Sequence, residues 1–291
     1  MRRYPFTPIL GWSVSRYDKF STCKRWYYYE YYPKYDPVVP YEQILVLKSL
    51  TSIPLEIGNL VHDMIAILLH RLKKSIAPIN VDKVMDYACS LVDQAMVNKT
   101  FQEVYYGQLD NIDTIELKNR VIGCLRNFFD SHWYEWIIEE AIDQRAKWVI
   151  EPNDFGEMRV GALKAYSKVD FLFPYGNRSF YALDWKTGRI ERDKHIRQLK
   201  GYVLYTGDCY GAATDCVETI AAYLSDSYQE TRCNFSQHEL DRFAARIEFE
   251  TDEMYAYCEK IDENIPREKN CFPMEHSTFC SYCNYRQLCI K

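Results

Sequence analysis

The apolar positions of the chain change their period as the sequence proceeds. From Gly58, Leu60, Val61, Met64, Ile65, Leu68, Leu69 and Leu72 recur at helical spacing, which predicts about four turns of amphipathic helix. Residues 81–98 and 114–143 carry the same period, the second with Phe128, Phe129, Trp133 and Trp136. Around Trp148 the texture shifts to short apolar runs punctuated by Asn, Gly and Pro. This predicts strands at about 146–151, 157–163, 167–174 and 179–186, with Tyr175-Gly176-Asn177 as the last hairpin turn. A helix over about 193–206 and a strand over 217–224 follow. Ser236-Gln237-His238-Glu239 has the form of a capping box opening a helix to about Ile261.

Ahead of these elements, 13–35 reads as one helix centred on Trp26-Tyr27-Tyr28-Tyr29-Glu30-Tyr31-Tyr32, with Pro33 near its end. Pro37, Pro40 and Pro54 mark a connector. Helices at both ends with a sheet between predict an α/β or α+β domain with a helical insertion. The sequence shows no internal repeat and no Gly-rich phosphate loop.

Composition narrows the class. With 291 residues, 47% of them hydrophobic, the chain can bury a large core without a disulfide framework. No apolar run approaches the roughly 18–20 residues of a membrane span. The start, Met1-Arg2-Arg3-Tyr4-Pro5, lacks the apolar stretch of a signal peptide, so the expectation is a cytoplasmic protein without a membrane partner. The net charge of −5 argues against nucleic acid until it is mapped. Residues 1–34 hold seven basic side chains (Arg2, Arg3, Arg16, Lys19, Lys24, Arg25, Lys34) against two acids, and 186–200 hold six (Lys186, Arg189, Arg192, Lys194, Arg197, Lys200) against two. Local patches of this kind govern phosphate binding.

The chemistry concentrates in Lys168-Val169-Asp170-Phe171-Leu172-Phe173 and Tyr181-Ala182-Leu183-Asp184-Trp185-Lys186. Strand side chains alternate between faces, so Asp184 and Lys186 share one face. A hairpin pairing of the two runs brings Asp170 alongside. Two carboxylates suit Mg²⁺ or Mn²⁺, a bound ion activates water toward a phosphodiester, and a lysine neutralises the charge that develops on phosphate. Alone, D-x-K also fits a structural ion pair.

Two further blocks flank the acids: Gly58-x-x-x-His62 before them, and Gln198-x-x-x-Tyr202 after them, its two polar residues on one helical face. This ordered set resembles the RecB-like branch of the PD-(D/E)XK nuclease superfamily. The resemblance implies a PD-(D/E)XK restriction-endonuclease-like core, a central mixed sheet flanked by helices, within a single domain over 1–291. The insertion would occupy about 75–145, the core about 146–225 and a cysteine-rich region 271–291. It implies a metal-dependent DNA nuclease, with exonuclease action on single strands or duplex ends. His62, Asp170, Asp184 and the backbone carbonyl of Trp185 would be metal ligands. Lys186 would act on the attacking water, and Gln198 and Tyr202 would support the site. The small residue three positions before the first acid, commonly Gly in that family, is Ser167 here.

The chain holds 11 cysteines, and Cys280-Ser281-Tyr282-Cys283 followed by Cys289 gathers three of them near its end. Three thiolates need a fourth ligand for a tetrahedral zinc or a cubane cluster; Cys23 and Cys271 are the choices. The run Ser13-x-Ser15-Arg16-Tyr17-x-x-Phe20-x-x-Cys23-Lys24-Arg25 is similar to the N-terminal segment of iron–sulfur nucleases of the RecB-like group, which include AddB nuclease domains and CRISPR-adaptation nucleases. That likeness implies a [4Fe–4S] cluster on Cys23, Cys280, Cys283 and Cys289, with Cys271 in reserve. It also implies a role in CRISPR adaptation beside integrase proteins, with a repair, recombination or phage nuclease as the alternative. A different class, a non-catalytic DNA-binding subunit with a zinc or iron–sulfur site, stays open at this point. Arg16, Lys24, Arg25, Arg189 and Lys200 are the expected DNA contacts. Of the aromatic rings at 27–32, about half are expected in the core, the remainder facing a single strand.

Overall fold

The structure is a computed structural model and describes residues 2–152, 154–176 and 179–289. The predicted turn residue Asn177 lies outside them.

The expected first helix is two. α1 (Val14–Thr22) and α2 (Lys24–Tyr31) meet at Cys23, whose extended backbone (φ −162°, ψ 118°) ends one helix and starts the next. Ser13 caps α1 by accepting from the Arg16 amide. After α3 (Tyr41–Lys48) comes α4 (Ile53–Lys74), which begins before Gly58. Ser52 is its N-cap and Pro54 stands in its first turn. The proline assigned to the connector therefore starts the helix, where its missing N–H costs nothing. α5 (Val81–Asn98), α6 (Gln102–Tyr105), α7 (Thr114–Phe129) and α8 (His132–Glu139) complete the helical segment. The predicted 114–143 helix breaks at Ser131, which caps α8.

Five strands form a mixed sheet in the order β1 (Val149–Ile150), β4 (Phe171–Tyr175), β5 (Ser179–Lys186), β6 (Val217–Tyr223), β7 (Gln229–Cys233). β4 and β5 are antiparallel, with Phe171 opposite Leu183, whereas β5 and β6 run parallel, with Lys186 opposite Tyr223. The crossover between the parallel pair is α9 (Arg192–Tyr210). The predicted 157–163 strand is instead a separate hairpin of β2 (Glu157–Val160) and β3 (Leu163–Tyr166), turning at Gly161 with φ +59°. α10 (Gln237–Tyr255) carries the expected capping box. It stops before Ile261, giving way to a small hairpin, β8 (Cys258–Lys260) and β9 (Ile265–Pro266).

The sheet separates two cores because its side chains alternate. Phe171, Phe173, Leu183 and Trp185 face the helical layer, where Leu60, Met64, Leu68, Val121 and Phe128 are buried. α4 has the length and apolarity of a membrane span, but its apolar stripe forms the centre of this layer. Leu172, Ala182 and Ala221 face the other way, toward Leu199, Tyr202 and Val203 of α9 and Phe243 and Ile247 of α10.

The tyrosine-rich segment belongs to this second core. Tyr27, Tyr28, Tyr29 and Tyr32 are buried and bind the C-terminal residues. Tyr28 meets Phe272 at 4.9 Å, Tyr29 meets Tyr285 at 5.4 Å, and Trp26 meets Phe279 at 4.3 Å between ring centroids. Tyr285 donates to Glu30 Oε2 at 2.8 Å. Aromatic pairs of this kind contribute about 0.5–1.5 kcal/mol each beyond burial, so the two ends of the chain are held by rings.

Candidate active site

The site forms where β5 ends against α4 and α9. Asp184, within an apolar strand, is 1% exposed. Its Oδ1 accepts from the Tyr202 hydroxyl at 2.5 Å and from Gln198 Nε2 at 3.1 Å. Its Oδ2 meets Lys186 Nζ at 2.5 Å and has no aligned hydrogen bond among the described residues. Lys186 Nζ in turn donates to Gln198 Oε1 at 2.7 Å, and Gln198 Nε2 donates to Tyr202 at 2.7 Å. Strand alternation aligns the acid and the lysine, and the four-residue spacing on α9 aligns the amide and the phenol. The two elements thus close a ring of four polar side chains.

Asp170 stands at the start of β4, beside Asp184 across the ladder. Its Oδ2 accepts from the Trp185 amide at 2.9 Å and meets His62 Nδ1 at 3.3 Å. His62 reaches it because α4 passes close to the end of β5: one turn earlier, the Cβ position of Gly58 lies 3.4 Å from Thr187 Oγ1. A tighter fit occurs at Gly201, where an added Cβ would sit 2.7 Å from Ser167 Oγ. With Ser167 in the place where a glycine was expected, the room it takes is given up by Gly201 on α9.

The electrostatics follow from burial. Burial opposes charge on His62, but the neighbouring Asp170 carboxylate outweighs it and raises the imidazole to about 9. Burial pushes Asp170 up, yet His62, Lys186 and the Trp185 amide hold it below the usual carboxylate range. For Asp184 burial prevails over Lys186, and its pKa is raised. Lys186 is discouraged by burial but held above its ordinary value by Asp184. The site therefore keeps its lysine protonated, with His62 and Lys186 as the two cationic groups set against Asp170 and Asp184.

One residue of the site was not anticipated. The ligand atoms of His62, Asp170 and Glu151 all lie within 4.8 Å of one another. Glu151 follows β1, has φ +39°, donates its amide to the Asp170 carbonyl at 3.1 Å and holds Lys168 at 2.6 Å. An acid ending an apolar strand was a signal available in the sequence. The trio contains His62 and Asp170 of the expected ligands, with Glu151 where Asp184 was expected; Asp184 is turned into the Lys186–Gln198–Tyr202 ring. The buried Asp184 Oδ2, lacking an aligned hydrogen bond, and the all-oxygen-and-imidazole donor set both fit a hard divalent cation.

The chain matches the model of the PD-(D/E)XK nuclease superfamily over residues 11–290. It belongs to that superfamily. Membership implies a metal-dependent nuclease acting on nucleic acid with Mg²⁺ or Mn²⁺, and the mixed sheet flanked by helices is the PD-(D/E)XK fold. No curated protein matches the chain. Among solved structures, the crystal structure of SSO0001 is similar at 16% identity, covering 69% of this chain and 81% of that one, with a TM-score of 0.33.

The expected DNA contacts divide in this nuclease fold. Arg16 lies over Tyr31, 4.2 Å from the ring centroid, and donates to Tyr27. Lys24 caps the Phe20 carbonyl at 2.9 Å, and Arg25 holds the carbonyls of Phe272 and Lys269 at 2.8 and 3.2 Å. Arg25 thus ties α2 to the C-terminal segment, while Arg16 and Lys24 bond within the N-terminal segment. Lys200 lines a groove with Arg197 of α9 and with Arg242 and Arg246 of α10. Arg189 is exposed just beyond β5.

The structure also gathers Cys23, Cys280, Cys283 and Cys289 around one narrow cavity, whose walls include Trp26, Tyr29, Met274 and Phe279. Cys271 is exposed and lines no part of it. Burial raises the Cys283 thiol to about 12, and the charges of Cys289, Cys23 and Cys280 add to the rise.

Proposed function

We propose that the protein is a RecB-like DNA nuclease that hydrolyses phosphodiester bonds in single strands or at duplex ends. The observation that carries this reading is Lys186 Nζ held between Asp184 and Gln198, next to the His62–Asp170 pair. We assign His62, Asp170, Asp184 and the Trp185 carbonyl as ligands of Mg²⁺ or Mn²⁺, with Glu151 as an additional one. Such an ion, when bound, polarises the phosphodiester and lowers the pKa of water. Lys186, kept protonated by Asp184, places its ammonium against the negative charge developing on phosphate. Gln198 and Tyr202 fix the carboxylate through Oδ1, so that Oδ2 is aimed rather than free to rotate. Labelled single-stranded DNA incubated with Mn²⁺ tests the assignment: wild type cuts, Asp184→Ala and Lys186→Ala do not. Equal cutting by both variants overturns it, and no cutting by any form favours a non-catalytic DNA-binding subunit.

For the cysteine cavity we propose a [4Fe–4S] cluster on Cys23, Cys280, Cys283 and Cys289. Four thiols lining one cavity of largely apolar walls, with burial raising those of Cys283 and Cys289, call for cationic charge. A single zinc at Zn–S distances of about 2.3 Å needs sulfurs roughly 3.8 Å apart. The four thiols line one cavity, and the likeness of the Cys23 segment to iron–sulfur nucleases supports a cubane over zinc. The cluster would join α1 and α2 to the tail and supply folding free energy. Purified protein should be brown, and stoichiometric zinc without iron after anaerobic preparation overturns the reading. The early cysteine combined with three late ones also supports a cytoplasmic role in CRISPR adaptation, trimming DNA for integrase proteins. Gene neighbourhood tests that against repair or phage recombination.

A further inference from the structure

Beside the reaction centre lies a cleft of about 560 Å³, within the roughly 300–1,000 Å³ typical of ligand sites. It opens onto the polar ring itself, because Gln198 and Tyr202 form part of its wall. Besides Tyr202, three aromatic rings, Trp26, Phe155 and Tyr166, line it, and Lys19, Lys168 and Lys194 stand among them.

Phe155 is the conspicuous member. Its side chain is 69% exposed, and its φ of +58° is one that a bulky residue adopts at a cost of about 1–3 kcal/mol. An apolar ring in a strained, solvent-facing position adds nothing to the core. Trp26 is different: partly buried, it is anchored from behind by Phe279 at 4.3 Å and has Lys19 Nζ 5.7 Å from its ring centroid. The three lysines are paired with Glu30, Glu151 and Glu191 at 2.7, 2.6 and 2.9 Å. None of those acids lines the cleft. The Lys168–Glu151 and Lys194–Glu191 pairs are the more exposed, and surface pairs are weak and exchange readily for a phosphate.

We infer that this cleft is a stacking slot for one unpaired nucleobase of the DNA strand being cut, with Phe155 and Trp26 as aromatic contacts and the lysines on the flanking phosphates. The inference rests on the nuclease reading and deepens it. Aromatic faces accept any base, which gives strand selectivity without sequence selectivity. A base inside a duplex cannot enter until it unstacks, so the slot selects single strands and frayed ends.

The test separates binding from cleavage. Affinity of the full-length protein for a fluorescein-labelled oligothymidylate is measured by anisotropy in EDTA, with a single abasic position moved along the strand. Stacking contributes about 1–3 kcal/mol per base, so Phe155→Ala should weaken binding roughly 5- to 100-fold. One abasic position should weaken wild-type binding by a similar factor and add little more in the variant, and Phe155→Trp should restore the affinity. Phe155 is exposed, so its replacement does not threaten the fold; circular dichroism checks this. Wild-type affinity retained by Phe155→Ala, an abasic penalty undiminished in that variant, or no binding by wild type each overturns the slot. Undiminished cutting by Asp184→Ala overturns only the nuclease assignment.

Discussion

The carboxylate site and the cysteine cavity both bring ionisable ligands together, but they differ in where the opposing charge comes from. At Asp170 and Asp184 the chain supplies it: His62, Lys186, the Trp185 amide, Gln198 and Tyr202 surround the acids, leaving Asp184 Oδ2 without an aligned hydrogen bond among the described residues. In the cavity of Cys23, Cys280, Cys283 and Cys289, burial raises the Cys283 and Cys289 thiols, and the walls are largely aromatic. The first site is pre-organised by side chains of the fold, whereas the second, under the cluster proposal, is completed by what it binds.

The sharpest way to break this contrast is to neutralise one carboxylate. Asp184→Asn keeps the shape of the ring and should lower the cleavage rate about 1,000-fold, with the melting temperature changed by only a few degrees. A large loss of stability in that variant would show that the acids, too, are structural. The counterpart is Cys280→Ala. It should destabilise the protein by about 2–5 kcal/mol, the range for loss of a native cross-link, and abolish the visible absorbance. Unchanged urea unfolding of Cys280→Ala would erase the distinction.

A smaller effect is expected from Glu151→Gln, which removes one charge of the cation trio but leaves the other site residues in place. Mn²⁺ affinity, read by calorimetry, should fall about 10- to 100-fold; an unchanged value would restrict Glu151 to its ion pair with Lys168. The smallest effect concerns acid. Burial, assisted by Lys186, lowers His195 to about 4, and its Nδ1 lies 2.9 Å from the Tyr223 hydroxyl. Its ordinary value is about 6.5. The unfolded chain therefore binds the proton first, so this contribution to stability is complete above about pH 6.5 and is lost as pH falls toward 4. His195→Gln should flatten that slope in melts compared at pH 7 and pH 4.5, and a parallel pair of curves would remove His195 as its source.

What could be read in the sequence was what short-range periodicity controls. The two-residue alternation placed Asp184 with Lys186, and the four-residue spacing placed Gln198 with Tyr202; both rules concern neighbours on one element. Elements with a strong apolar stripe, such as α4, α7 and α10, were visible for the same reason. β7, Gln229-Glu230-Thr231-Arg232-Cys233, was hidden because an edge strand need not be apolar. The break at Cys23 was masked by aromatic residues that continue equally well through a helix or a turn. Glu151 escaped notice because its place beside His62 depends on the closure of β1 onto β4 and on a left-handed backbone, neither of which has a local period. Nor can a count of basic residues show that backbone carbonyls and tyrosine rings partner Arg16, Lys24 and Arg25.

Trp26 lines both the cleft beside Asp184 and the cavity of the four cysteines, resting on Phe279 next to Cys280. A chain whose tail has not yet closed lacks the support behind one wall of its substrate groove. Loosening the cysteine-bearing segment would withdraw the backing of that wall, so the cavity of the four cysteines and the cleft beside Asp184 are mechanically joined through one indole ring.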